Sequence, residues 1–222
     1  ERYEGYGFGI KRVMEQKGRY PGIIGAVADI MKVRKKYELA VETALGGAIQ
    51  NVVTDTQQTA KEMIEFLKKN RYGRVTFLPL SAVKQRGGFP RPEAVHEKGV
   101  IGTCDCLASY EDRFSELFQS LLGRVLVVES IDDGIRIAAK YKHSFRIVTL
   151  DGDALNPGGS MSGGAYKNKS NLLGRNREIK ELEQKLLKDR DEILRISKVL
   201  EEKTEQYGQA EEKISRLKGR IQ

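Results

Sequence analysis

A self-repeat at an offset of 77 residues constrains this chain more than any motif in it. GIIGAVADIMKVRKKYELAVETALGGAIQNVVTD begins at Gly22, and GVIGTCDCLASYEDRFSELFQSLLGRVLVVES begins at Gly99. Gly22, Gly25 and Gly46 recur as Gly99, Gly102 and Gly123, while Tyr37, Ala40 and Leu45 recur as Phe114, Leu117 and Leu122. Agreement of many positions at one offset marks a duplicated supersecondary unit.

Each copy reads as strand, helix, strand. NVVTD is β-branched and ends in capping residues, and Ala60, Met63, Ile64 and Leu67 then recur at helical spacing until KKN closes the helix. Gly73 breaks it, and RVTFLPL is the next strand. In the second copy Ser130 to Asp133 resembles a capping box that opens a helix over Ile135, Ala138 and Tyr141, with RIVTL as the following strand. An amphipathic helix precedes each unit, over Tyr37–Leu45 and Phe114–Leu122. The expected fold is α+β: two duplicated small subdomains, residues 1–83 and 99–170, joined by a Gly/Pro-rich linker at 84–98.

Residues 171–222 form a different object. Ile179, Leu186, Ile193, Leu200, Tyr207, Ile214 and Ile221 occupy one heptad seam position, and Leu182, Ile196, Ala210 and Leu217 the other, with Asp189 and Lys203 as exceptions. So regular a stripe predicts a coiled-coil arm, a helix of roughly 75 Å at about 1.5 Å per residue. Nothing upstream of Gly22 is long enough to cover it. Its natural partner is expected to be a helix preceding residue 1, in a longer polypeptide.

The arm explains why the 222 residues are 32% charged and only 39% apolar. Residues 172–222 hold 13 Lys/Arg against 11 Asp/Glu, so the arm carries +2 of the net +8 and the remainder carries +6. That excess permits contact with nucleic acid without establishing it. It clusters at Arg34, Lys35 and Lys36, at Lys68, Lys69 and Arg71, and at Lys167, Lys169, Arg175 and Arg177. No apolar run approaches the roughly eighteen residues that span a bilayer, so no membrane partner is expected. Cys104 and Cys106 are too few for a disulfide framework and lack C-x-x-C spacing; both are expected to be buried thiols in a reducing compartment.

Candidates for chemistry are sparse. Gly159 and Gly164 have the gap of a phosphate-binding loop, but Ala165 and Tyr166 follow where Lys and Ser/Thr are needed. GYGFG at Gly5–Gly9 follows no strand. Asp132 with Asp133 reads as a helix cap, and Asp151 with Asp153 as a turn. Neither histidine neighbours an obvious nucleophile, so no cofactor and no catalysis are expected. What remains is NPGGSMSGG, Asn156 to Gly164. Glycine at a strand lets a second backbone approach closely, although the same composition suits a flexible linker.

GIIGAVADIMKV, GRVTFLPL, RIVTLDGDALNPGGSMSGG and the coiled-coil exit, in that order, resemble the hinge of SMC (structural maintenance of chromosomes) proteins, and the bacterial homodimers in particular. The zinc-hook relatives carry C-x-x-C at their apex, and this chain does not. The resemblance implies a homodimerisation hinge whose arm pairs antiparallel with the helix before the hinge. ATPase heads would lie elsewhere in the parent protein. It implies a dimer contact at Gly158, Gly159, Ser160, Met161, Ser162, Gly163 and Gly164, and a cytoplasmic, nucleoid-associated role. Weak, non-specific DNA contact is expected through Lys167, Lys169, Arg175, Arg177, Arg34, Lys35 and Lys36. The rival reading is a stand-alone nucleic-acid-binding domain whose coil recruits a partner.

Overall fold

The computed structural model describes residues 5–84, 87–164 and 172–221. After α1 (Phe8–Glu15), the first copy runs β1 (Ile23–Ala26), β2 (Lys32–Val33), α2 (Glu38–Leu45), β3 (Val52–Thr54), α3 (Gln57–Asn70) and β4 (Phe77–Pro79). The second runs β5 (Val100–Thr103), β6 (Ala108–Ser109), α4 (Ser115–Leu122), β7 (Val125–Val128), α5 (Ile131–Lys140) and β8 (Arg146–Thr149). It then adds β9 (Ala154–Leu155) and β10 (Met161–Ser162), and α6 (Leu172–Ile221) ends the chain. The mixed helix-and-sheet fold with a long final helix agrees with the expected class.

The repeat is conformational as well as chemical. β1 lies antiparallel to β3 with a register shift between Ile23 and Gly25, and β5 lies antiparallel to β7 with the same shift between Val100 and Gly102. β3 then pairs parallel with β4, as β7 does with β8. The second helix of each copy, α3 and α5, is capped alike. The Thr56 hydroxyl accepts from the Thr59 N–H at 3.3 Å and the Ser130 hydroxyl from the Asp133 N–H at 3.2 Å, satisfying one orphan donor at each start. Gly22 and Gly99 are required where they stand. A Cβ on Gly22 would lie 2.5 Å from Asp55 Oδ1, and one on Gly99 2.3 Å from the Asp133 carboxyl carbon.

The two copies share a core. β2 and β6 pair antiparallel across them, Lys32 opposite Ser109 and Val33 opposite Ala108. The largest buried cluster unites Ala26, Val41 and Leu45 of the first copy with Phe114, Phe118 and Leu122 of the second. Leu172 and Leu173, the first residues of α6, are buried in the same cluster. The chain divides into a compact unit ending at Asn176 and a second unit, Arg177–Gln222, which is helix throughout its described part. In that second unit the seam residues Leu182, Leu186, Ile193, Leu200, Tyr207 and Leu217 are 59–68% exposed. Among the described residues no helix is long and apolar enough to cross a membrane.

The cysteines depart from expectation. Cys104 is buried, but Cys106 is exposed, on the 3-10 turn after β5, where its sulfur accepts from the Thr103 hydroxyl at 3.3 Å. Burial, assisted by the charge of Asp105, pushes the Cys104 thiol from 9.0 up to about 12. The folded state therefore keeps a proton that the unfolded chain releases from pH 9 upward, so this group costs stability only in alkali. At pH 8 an alkylating reagent is expected to modify Cys106 and leave Cys104 untouched, read by the mass of the intact protein; double labelling of the folded chain would refute the burial.

Candidate association surface

β10 is one of the two edge strands of a five-stranded sheet ordered β10-β9-β8-β7-β5. It reaches that edge through the turn Asn156–Ser160, where Gly158 and Gly159 have φ of 86° and 93°, values that L side chains rarely adopt. Gly164, beyond the strand, has φ 133°. Among the described residues, and apart from chain neighbours, no atom lies within 4 Å of a Cβ built on any of these three, whereas a Cβ on Gly163 would meet Asp153 Oδ1 at 2.1 Å. Three of the four glycines therefore serve the backbone's own path, and the fourth serves close packing against Asp153, the residue before β9.

The ladder shows which groups point outward. The Asn156 N–H donates to the Ser160 carbonyl at 2.8 Å, and Met161 and Ser162 stand opposite Leu155 and Ala154. Hydrogen-bonded and non-hydrogen-bonded pairs alternate in an antiparallel ladder, so the N–H and C=O of Met161 face away from β9. The Met161 side chain is 54% exposed.

A second open edge, missed at the sequence level, belongs to the first copy. The sheet β1-β3-β4 ends at β4. Bonds from Val52 N–H to the Thr76 carbonyl (3.0 Å) and from Leu80 N–H to the Thr54 carbonyl (2.9 Å) place the polar groups of Phe77 on the side away from β3. The matching bond in the second copy runs from Leu150 N–H to the Val128 carbonyl at 3.1 Å, which makes Ile147 the counterpart of Phe77. Ile147 is covered, by Leu155 of β9. Among the described residues the first copy has no such strand, and a shallow groove opens there between Ala60, Ile64 and Lys61 of α3 and Val75, Phe77 and Pro79. Pro79 was the available signal, because proline inside a strand marks an edge.

The basic candidates are dispersed. Arg34, Lys35 and Lys36 are exposed at the turn before α2, Lys36 lying 4.6 Å from the centre of the Tyr37 ring. Arg175 is exposed on the first turns of α6, and Arg177 is engaged by Glu181 at 3.0 Å. Lys167 and Lys169 lie outside the described residues.

Comparison with known proteins places the chain in a family. The profile of the family described as SMC proteins Flexible Hinge Domain matches residues 20–138. The chromosome partition protein Smc of Bacillus subtilis is 42% identical over 187 residues, 83% of this chain and 16% of that protein. That of Desulfitobacterium hafniense is 42% identical over 186 residues, with 82% and 16% covered. The chain thus spans about one-sixth of the length of these relatives. Among solved structures, the SMC hinge domain of Geobacillus stearothermophilus, crystallised as an asymmetric dimer, superposes with a TM-score of 0.77 at 38% identity, over 88% of this chain and 80% of that one. The hinge domain of the Pyrococcus furiosus SMC protein gives 0.57 at 25% identity, over 73% and 86%. With a profile match over more than half its length on a fold of the same kind, this chain belongs to the SMC hinge-domain family.

Proposed function

We propose that the chain is the homodimerisation hinge of a chromosome-partition SMC protein, joining two coiled-coil arms and having no catalytic activity of its own. One observation carries this reading: the side of the strand that β9 covers in the second copy is, among the described residues, without a paired strand in the first, and β10 likewise ends its sheet. β10 of one protomer adds to β4 of its partner, with Met161 beside the groove at Ile64 and Phe77, much as Leu155 lies beside Gly134 within one chain. Two-fold symmetry makes the contact twice and covers the open sides of both β4 and β10. The Geobacillus hinge, itself a dimer, supports the reading by similarity. The test is chemical. In a Cys106→Ser background, chains carrying Phe77→Cys mixed with chains carrying Met161→Cys should form a disulfide-linked pair of twice the chain mass. Absence of any cross-link between chains would count against the pairing.

The exposed seam of α6 supports an antiparallel coiled coil with a helix that precedes residue 1 in the parent protein. The parent, cytoplasmic and nucleoid-associated, would carry ATPase heads in the length of chain that the relatives have beyond this region. The hinge contributes weak DNA contact through its basic turns. Binding should be independent of sequence and fall with salt, because released counterions drive it. Changing Arg34, Lys35 and Lys36 to Glu should lower the slope of log affinity against log salt by about 0.9 for each phosphate no longer neutralised, with the dimer mass unchanged. Lys167, Lys169, Arg175 and Arg177 form a second set for the same experiment, and sequence-selective binding that survives high salt would overturn the assignment of DNA contact.

A further inference from the structure

α2 touches both the root of α6 and the hairpin that carries β10. At the first contact, the buried Glu42 carboxylate accepts the Leu173 N–H at 2.8 Å, capping the first turn of α6. Asp29 adds to the same root, accepting from the Tyr6 hydroxyl at 2.7 Å and from Asn176 Nδ2 at 3.1 Å. At the second contact, Arg146 at the start of β8 donates through Nη1 to the Ala44 carbonyl and through Nη2 to the Thr43 carbonyl, both at 3.0 Å. These are last-turn carbonyls of α2, whose negative end the guanidinium complements. The Thr43 hydroxyl donates to the Gly152 carbonyl at 3.3 Å, and a Cβ on Gly152 would lie 2.9 Å from Leu39 Cγ. The β8–β9 turn is thus seated directly on α2. From it Asp153 leads into β9, and β9 holds β10.

The first copy has no equivalent grip. The residue corresponding to Arg146 in the β-ladders is Thr76, whose side chain cannot reach across to another helix as a guanidinium does. We propose that α2 is a strut coupling the root of the arm to the association strand, with Arg146 as the positioning residue that joins strut to hairpin. Seating β10 on a second chain then steadies the root of α6, and loosening the root weakens β10. The proposal rests on β10 being the association edge.

The test compares backbone amide exchange at Leu173–Asn176 in dimer and monomer, with mass read on the same samples. Met161→Pro supplies the monomer. In the otherwise unaltered chain, loss of the dimer should speed exchange at these amides about tenfold, as local opening becomes easier. In an Arg146→Met background, which keeps the apolar stem and removes both hydrogen bonds, the difference should fall below about twofold. Arg146→Lys keeps the charge without the two-carbonyl grip and should behave like Arg146→Met, so the result does not depend on one variant folding. A dimer–monomer difference that survives Arg146→Met runs along the chain instead and overturns the strut. So does a confirmed monomer with unchanged exchange. A Met161→Pro chain that stays dimeric removes the interface reading, and the strut with it.

Discussion

Met161→Pro should convert a dimer into folded monomers. The substitution removes one outward N–H and places a ring on the open side of β10, while the bonds that hold β10 to β9 run through Ser160 and Ser162. Proline is tolerated on an edge strand when its missing donor faces solvent, so the isolated chain loses little. In the two-fold assembly the loss occurs twice. At about 1.5 kcal/mol for each hydrogen bond removed, with steric exclusion added, association weakens by about 3 kcal/mol or more, over 100-fold in Kd. Circular dichroism should be unchanged while light scattering falls toward the mass of one chain. Substituting the glycines is a poorer probe than their composition suggests. Gly158, Gly159 and Gly164 sit at positive φ, so side chains there strain the chain's own backbone as well as any contact. A Met161→Pro chain that remains dimeric at high dilution would place the interface elsewhere.

The second large effect concerns the shared core. Phe118 of α4 is fully buried and stacks on Tyr110, with ring centroids 4.4 Å apart. Truncation to alanine leaves a cavity in the cluster that both copies line, at a cost of about 3–5 kcal/mol. For a unit of this size that lowers Tm by roughly 10 °C, measured at fixed protein concentration because association adds its own stabilisation. More telling is what unfolds. Amides of α3, in the first copy, should lose protection together with those of α5, in the second, in one transition. Separate transitions, with α3 unaffected by a change in α4, would mean that the copies are independently stable.

What the sequence made legible was local or periodic. The offset of 77 reappears in the equal bounds of α2 and α4, in the paired register shifts, and in glycines packed against helix starts. The heptad reappears as an exposed stripe on one continuous helix. The glycine stretch was legible as a place for close approach. That three of its glycines also answer to positive φ was not, since composition does not report dihedral angles. Long-range facts were hidden for a common reason: no residue declares its distant neighbour. Phe77 reads only as part of a strand until the copies are compared and its lack of a paired neighbour among the described residues appears. Leu172 and Leu173 read as the start of the coiled-coil arm, yet they close the core of the globular unit. Arg146 reads as one cation among many in a basic chain. Cys106 shares a dipeptide spacing with Cys104 and still faces outward, because the intervening turn is 3-10 rather than strand.

Leu172 and Leu173 also decide how the central claim is tested. A chain cut after Lys169 would lose two core side chains, so the informative truncation ends at Asn176, at the boundary of the compact unit. Light scattering of that fragment and of the whole chain, over serial dilutions and without DNA, measures self-association of the globular unit alone. Both should show two chains per particle, which for the whole chain is twice 25.0 kDa, with no dependence on α6. A dimer that disappears with the arm, or particles of one chain at every concentration, would contradict the assignment of the association surface to β10 and β4.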